Sequence, residues 1–297
     1  MSNLQSSKIS VIIPTYNAGA KLTEILTILS AQSRLPDEVL VVDSGSSDDT
    51  LHRCAAFPLV KILKIDHSSF NHGGTRDLAL HTAVGEFIIF LTQDAVPADV
   101  FFISNMLAPF ADSRVALVYG RQLPNQSASP AEKLTRQFNY PPQSCLRTSA
   151  DIPTFGIKAF FFSDAASAYR RSAYEQLGGF ERNVKTNEDM FIAARALHAG
   201  FGIYYAASAM VLHSHDFTLS QRFLRYRDQG EEITLHAAIL GNAAPSAEGK
   251  KMLLFVSQNL LRKGKVLAWF RFCLGCVAGY LGFRAGKRRA ERRLHAV

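Results

Sequence analysis

Cysteine is scarce in this 297-residue sequence, with four residues at positions 54, 145, 273 and 276. They are too few and too scattered for a disulfide scaffold, so a reducing compartment is expected. Cys273 and Cys276 form a CxxC, but with no second pair and inside an apolar stretch they read as buried thiols. The opening MSNLQSSK has no apolar core of the kind a secretory signal needs, which points to the cytoplasm. Glycine is sparse after the first apolar run. The turn Pro14-Thr15-Tyr16-Asn17-Ala18-Gly19 has one glycine, whereas a dinucleotide or S-adenosylmethionine cradle would want several. Long apolar runs are missing too. Residues 266–283 are apolar but short for a membrane span, and Arg271 interrupts them. A basic excess is absent from most of the chain. The net charge of +8 resides in residues 262–297, which hold ten Lys/Arg and one acid, leaving −1 for the remainder. That excludes a nucleic-acid groove through the fold and fits a tail that meets an anionic lipid surface as an interfacial helix. A core-packing helix with a solvated basic end is the plainer alternative.

Three apolar runs each end in a small polar or acidic cluster. Ile9-Ser10-Val11-Ile12-Ile13 leads into Pro14-Thr15, Val39-Leu40-Val41-Val42 into Asp43, and Phe87-Ile88-Ile89-Phe90-Leu91 into Thr92-Gln93-Asp94. Runs without alternation mark parallel strands buried on both faces, and ligands of open α/β sheets sit beyond the carboxyl ends of such strands. Helical spacing at 19–31 and 74–84 between the runs gives a βα alternation up to a strand at 115–119. This predicts an α/β fold with a Rossmann-like, doubly wound, mostly parallel sheet and helices on both faces. Prolines at 124, 130, 141, 142 and 153 suggest a lid or insertion over 121–155 with one helix near 130–138. Beyond it, helices are expected at 164–177, at 188–198 capped by Asn187, and at 218–229, with short strands at 202–205 and 209–213. The reading divides the chain into residues 1–230, with a nucleotide-binding half of about 1–120 and an acceptor-side half of about 121–230, and a helical, basic, amphipathic tail at 231–297.

Each candidate residue carries two readings. Asp43 either accepts from the imide N–H of a pyrimidine base or fixes a turn. Asp94 can hold a divalent cation, Mg2+ or Mn2+, which in turn holds a diphosphate. His213 and His215 alternate on a strand and so share a face, where one completes the cation site or both are structural. Glu188 and Asp189 begin a helix, where acids suit the dipole and a carboxylate can also take a proton from a hydroxyl. Arg76 pairs with phosphate or a base edge, or simply lies on the surface.

From about Ile9 to Gly230 the chain resembles the inverting, GT-A-fold glycosyltransferases of family 2 that use nucleotide-diphosphate sugars. The strings VIIPTYN, VVDSGSSDDT, an Asp at the DxD position, Gly178-Gly179-Phe180 and Glu188-Asp189 carry the resemblance. A narrower set, FNHGGTR, FLTQDA, YGRQLP, FNY, NEDM and HSH, is similar to bacterial rhamnosyltransferases. The resemblance implies that Asp43 contacts the pyrimidine and that Thr15 lines the same pocket, with Pro14, Tyr16, Arg76 and Gln93 around the nucleotide. Asp94 then binds metal and nucleotide, with His213 or His215 at the metal. Asp189 acts as general base with Glu188 in support. Thr92 stands where the first Asp of DxD is usual, so Gln93 takes over toward the ribose. The implied reaction moves L-rhamnose from dTDP-β-L-rhamnose onto a lipid-linked or growing saccharide in O-antigen or exopolysaccharide assembly. The enzyme would be peripheral on the inner face of the cytoplasmic membrane. Transfer of another sugar, such as a UDP-hexose, is the alternative within the class; a nucleotide-sugar sensor without catalysis and a methyltransferase are those outside it.

Overall fold

The central strands have no polar face, and the computed structural model, which describes residues 4, 6–241, 243–244 and 247–295, shows why. The first half alternates β1 (Ile9–Thr15), α1 (Gly19–Ser30), β2 (Glu38–Asp43), α2 (Thr50–Cys54), β3 (Val60–Lys64), α3 (His72–Thr82) and β4 (Phe87–Leu91). β2 and β4 are buried throughout and β1 nearly so. β3 lies at the sheet edge and is mostly exposed. β1 pairs in parallel with β2 and β4, and β2 with β3. Thr15 lies opposite Asp43, so the carboxyl ends of β1 and β2 are level.

The second half is mixed. It comprises β5 (Val96–Pro97), α4 (Phe102–Leu107), β6 (Val115–Leu123), α5 (Pro130–Asn139), β7 (Cys145–Arg147), α6 (Ile152–Phe155), β8 (Ala166–Arg170), α7 (Arg171–Gln176), α8 (Glu188–His198) and β9 (Gly202–Leu212). Sheet order is β3-β2-β1-β4-β8-β6-β9-β5, with β7 also on β9. β8 is wedged antiparallel between β4 and β6, while β6 and β9 are parallel. Most strands therefore run one way, and β5, β7 and β8 run against them. One apolar layer packs α1 and α4 on one face; the other packs α3 and α8 on the opposite face.

Two expectations need correction. Residues 164–177 are not one helix but β8 followed by α7. Antiparallel pairing with β4 on one side and β6 on the other overrides the helix propensity of Ala166 and Ala168, whose side chains join the apolar layer on one sheet face. The two short strands expected near 202–213 are the single β9, and the break between them is a register shift opposite Gly120 and Arg121.

The chain ends in α9 (Leu219–Leu235), α10 (Ala237–Leu240), α11 (Glu248–Arg262) and α12 (Val266–Leu294). α9 runs straight through residue 230. By length and composition α12 could cross a membrane. It lies along α9 through a stripe of small buried residues, Gly275, Gly279, Gly282, Gly286 and Ala290. A Cβ on Gly282 or Gly286 would strike the carbonyl oxygens of Phe223 and Arg227. At the far end, Glu231 of α9 is fully buried and pairs with Lys185 (3.0 Å), Arg289 (3.2 Å) and Arg293 (2.9 Å). The opposite face of α12 leaves Leu267, Phe270, Val277, Tyr280 and Leu281 more than half exposed. Gly286→Val should force these helices apart, costing about 1–3 kcal/mol and lowering the thermal midpoint. An unchanged midpoint would mean that the stripe does not hold α12 in place.

Candidate active site

Strand ends assemble the site. β4 stops at Leu91, and Thr92-Gln93-Asp94 turn over the sheet edge. Two residues later β5 pairs with the end of β9, Val96 opposite Leu212, which sets Asp94 beside the residues that follow Leu212. Asp94 Oδ1 lies 3.5 Å from His213 Nε2, and Oδ2 lies 3.3 Å from His215 Nε2. Potential ligand atoms of the three side chains are all within 4.8 Å of one another. Burial alone would raise the Asp94 carboxyl. The His213 hydrogen bond and charge, aided by Thr92 and His215, outweigh it and hold Asp94 well below the usual carboxylate range. Burial and His213 push His215 down, favouring its neutral, lone-pair form.

Gln122, near the end of β6, orients His213. Its Oε1 accepts from His213 Nδ1 at 2.8 Å and from Arg136, while its Nε2 donates to Ser163 Oγ at 2.9 Å. A bond to an amide oxygen places a proton on Nδ1, so Nε2 is the nitrogen that faces Asp94, as a donor to the carboxylate or, once that proton is gone, as a cation ligand. One carboxylate and two imidazoles make a mixed O/N donor set. It suits Mn2+ better than Mg2+, which prefers oxygen and water.

A second cluster is built around the start of α8. Asn187 takes a left-handed backbone (φ 70°) and makes no side-chain cap, contrary to the expected N-cap. Asparagine tolerates this conformation, and the turn directs the next two residues to different neighbours. Glu188 is buried and accepts from Arg76 Nη1 at 2.9 Å. Arg76, on α3, is 4% exposed rather than a surface residue. Its Nε lies 3.6 Å from Asp164 Oδ2. Asp164 in turn accepts from Ser167 Oγ (2.6 Å) and Tyr169 OH (2.7 Å), and its main-chain N–H donates to Asp189 Oδ2 at 3.4 Å. Burial, then the charges of Glu188 and Asp164, push the Asp189 carboxyl well up. Asp94, His213, His215, Asp189 and Glu188 all line one cavity of about 590 Å³. Sequence reasoning singles out neither Gln122 nor Asp164. The first lies in the YGRQLP string; the second sits in a stretch that reads as helix.

Of the residues expected at the nucleotide, Arg76 and Asp94 line this cavity, while Pro14, Thr15, Tyr16, Asp43 and Gln93 lie beyond its lining, at or just past the ends of β1, β2 and β4. Asp43 is buried and accepts from the amides of Gly45 and Ser46 at 3.2 Å, which is the turn reading. Thr15 lies opposite it, with Pro14 preceding. Gln93 clamps the main chain of Tyr16, accepting from its N–H at 2.7 Å and donating to its carbonyl at 3.1 Å. The exposed Tyr16 ring lies 4.6 Å from the His67 ring.

Residues 10–178 match the family model described as Glycosyl transferase family 2. The chain is 41% identical over 288 residues to the O-antigen chain rhamnosyltransferase RfbN of Salmonella typhimurium, covering 94% of this chain and 90% of that protein. It is 39% identical over 282 residues to the O-antigen chain rhamnosyltransferase WbaN of Salmonella anatum, covering 94% and 89%. Among solved structures it is similar to S. aureus TarS 1–349 in complex with UDP-GlcNAc, at TM-score 0.62 and 18% identity over 96% of this chain and 92% of that one. The mannosyltransferase PcManGT from Pyrobaculum calidifontis in complex with GDP-Man and Mn2+ matches at TM-score 0.60 and 20% identity, over 98% and 79%. These two likenesses show a shared fold.

Gln122→Leu should release His213 Nδ1 and weaken Mn2+ binding about 10–100-fold by calorimetry. Unchanged affinity would mean that Gln122 does not orient a ligand.

Proposed function

The chain belongs to glycosyl transferase family 2, and we propose that it moves L-rhamnose from dTDP-β-L-rhamnose onto a hydroxyl of a lipid-linked O-antigen or related polysaccharide, with inversion. The observation that carries the reaction is one cavity shared by the Asp94–His213–His215 trio and the Asp189 carboxylate. Rhamnose is favoured by the two Salmonella relatives, both named as O-antigen chain rhamnosyltransferases.

In this reading the acceptor oxygen attacks the anomeric carbon from the face opposite the diphosphate. The new glycosidic C–O bond forms as the C–O bond to phosphate breaks, and the acceptor proton passes to an Asp189 oxygen. dTDP leaves, and a β-donor gives an α-rhamnoside. A carboxyl pushed upward by burial and two neighbouring acids is a better base than a solvated one. Mn2+, when held by Asp94, His213 and His215, supplies positive charge beside the departing diphosphate. We assign the pyrimidine to Asp43 and Thr15, and the surrounding nucleotide contacts to Pro14, Tyr16 and Gln93. Arg76 is committed to Glu188 and Asp164.

The exposed apolar face of α12 sits beside Arg284, Lys287, Arg288 and Arg292, all at the surface. An apolar stripe next to a basic run suits an anionic bilayer surface, which would keep the cytoplasmic enzyme near a lipid-borne acceptor.

Asp189→Asn should retain dTDP-rhamnose binding while turnover falls by about 10²–10⁴. Wild-type turnover in that variant would remove Asp189 from its role. Truncation after Arg262 should reduce sedimentation with anionic vesicles, and undiminished binding would rule out the tail as the anchor.

A further inference from the structure

α9 has two faces with different tasks. One packs on the glycine stripe of α12. The other sends Arg225, Tyr226, Gln229 and Ile233 into the cavity that holds Asp189. Tyr226 belongs to both, since a Cβ on Gly279 of α12 would stand 3.3 Å from its ring. Across the cavity, α5 contributes Thr135 and Asn139.

The polar groups on this wall are not used by the protein itself. Among the described residues, the Gln229 amide and the Tyr226 hydroxyl have no hydrogen-bond partner, whereas the Asn139 side chain is held by Lys158 at 3.3 Å. Arg225 stands over the Phe217 ring at 5.4 Å and forms no ion pair there. An aromatic face beside a free amide and a free hydroxyl is the chemistry that binds a polyhydroxyl ring. The position separates this wall from the nucleoside end of the donor. Pro14, Thr15, Tyr16, Asp43 and Gln93, assigned to the nucleotide, lie at or just past the ends of β1, β2 and β4, beyond the cavity lining, while α9 is bolted to the helix that carries the apolar and basic surface.

We propose that α9 is the acceptor wall, with Tyr226 and Gln229 binding the terminal saccharide of the lipid-borne chain and the Gly279 contact with α12 setting where the Tyr226 ring stands. This rests on the glycosyl-transfer reading and assigns its second substrate to named residues. It also explains the close packing of α9 and α12. A wall that must receive a sugar delivered from a lipid surface is fixed directly to the helix that faces that surface.

The test does not need turnover. Saturation-transfer NMR would record binding of a panel of octyl-linked mono- and disaccharides to the full chain carrying Asp189→Asn, with dTDP and Mn2+ present. Gln229→Ala and Tyr226→Phe should each weaken saccharide binding about 3–10-fold, the value of one lost hydrogen bond. Gly279→Val, which adds no atom to the cavity itself, should weaken it as well by displacing the ring. dTDP affinity by calorimetry should stay within about twofold, as expected for a site that meets only the acceptor. The proposal is overturned if no saccharide in the panel binds, if all three variants bind as well as their parent, or if dTDP affinity falls in step with saccharide binding. Failure of the transfer reading would appear elsewhere, as no rhamnosyl product from the wild-type chain supplied with dTDP-β-L-rhamnose and the same saccharides.

Discussion

A two-residue strand brings the site together. β5 lies against the end of β9, and the pairing of Val96 with Leu212 carries Asp94 across the sheet edge to His213 and His215. The parallel half of the sheet would otherwise present Asp94 alone. The second half would present two histidines without a carboxylate. β9 can reach this point because it pairs in parallel with β6 while β8 fills the gap toward β4. Gln122, near the end of β6, then fixes the tautomer of His213.

The acids on the other side of the cavity obey a different constraint. Asp164, Glu188 and Asp189 gather around one guanidinium, that of Arg76. Three carboxylates in a poorly hydrated space cannot all ionise as they would in water. Arg76 compensates the two most buried ones, Asp164 and Glu188, and the charge left over falls on Asp189, the least buried of the three. Raised proton affinity at Asp189 follows from this arrangement rather than from any property of the residue itself. The strand-end trio is the reverse case, where two imidazoles hold a carboxyl down.

What the amino-acid pattern discloses depends on how local the cause is. β1, β2 and β4 are legible because burial on both faces leaves no polar alternation. The placement of Asp43 and Asp94 at the carboxyl edge of the sheet is legible because each closes or soon follows such a run. The meeting of Asp94 with the histidines is only half legible. The H-x-H spacing suggests a shared face, but β5 is too short to leave a periodic signal. β8 is illegible because Ala166-Ser167-Ala168 carries no strand signature, and only its neighbours make it a strand. Gln122 and Asp164 are single polar residues whose importance comes from partners 91 and 25 positions away, His213 and Asp189. The glycines of α12 read as part of an apolar run, yet they bring two helix backbones together.

The account stands on one sugar ring held between Asp189 and the Asp94 trio, so that bond making and bond breaking occur on opposite faces of one carbon. The most direct measurement is the one-bond C1–H1 coupling in the NMR spectrum of the product formed from dTDP-β-L-rhamnose. The account predicts the value of an α-rhamnoside. A β-linked product would show that Asp189 does not act behind the departing diphosphate and would contradict it.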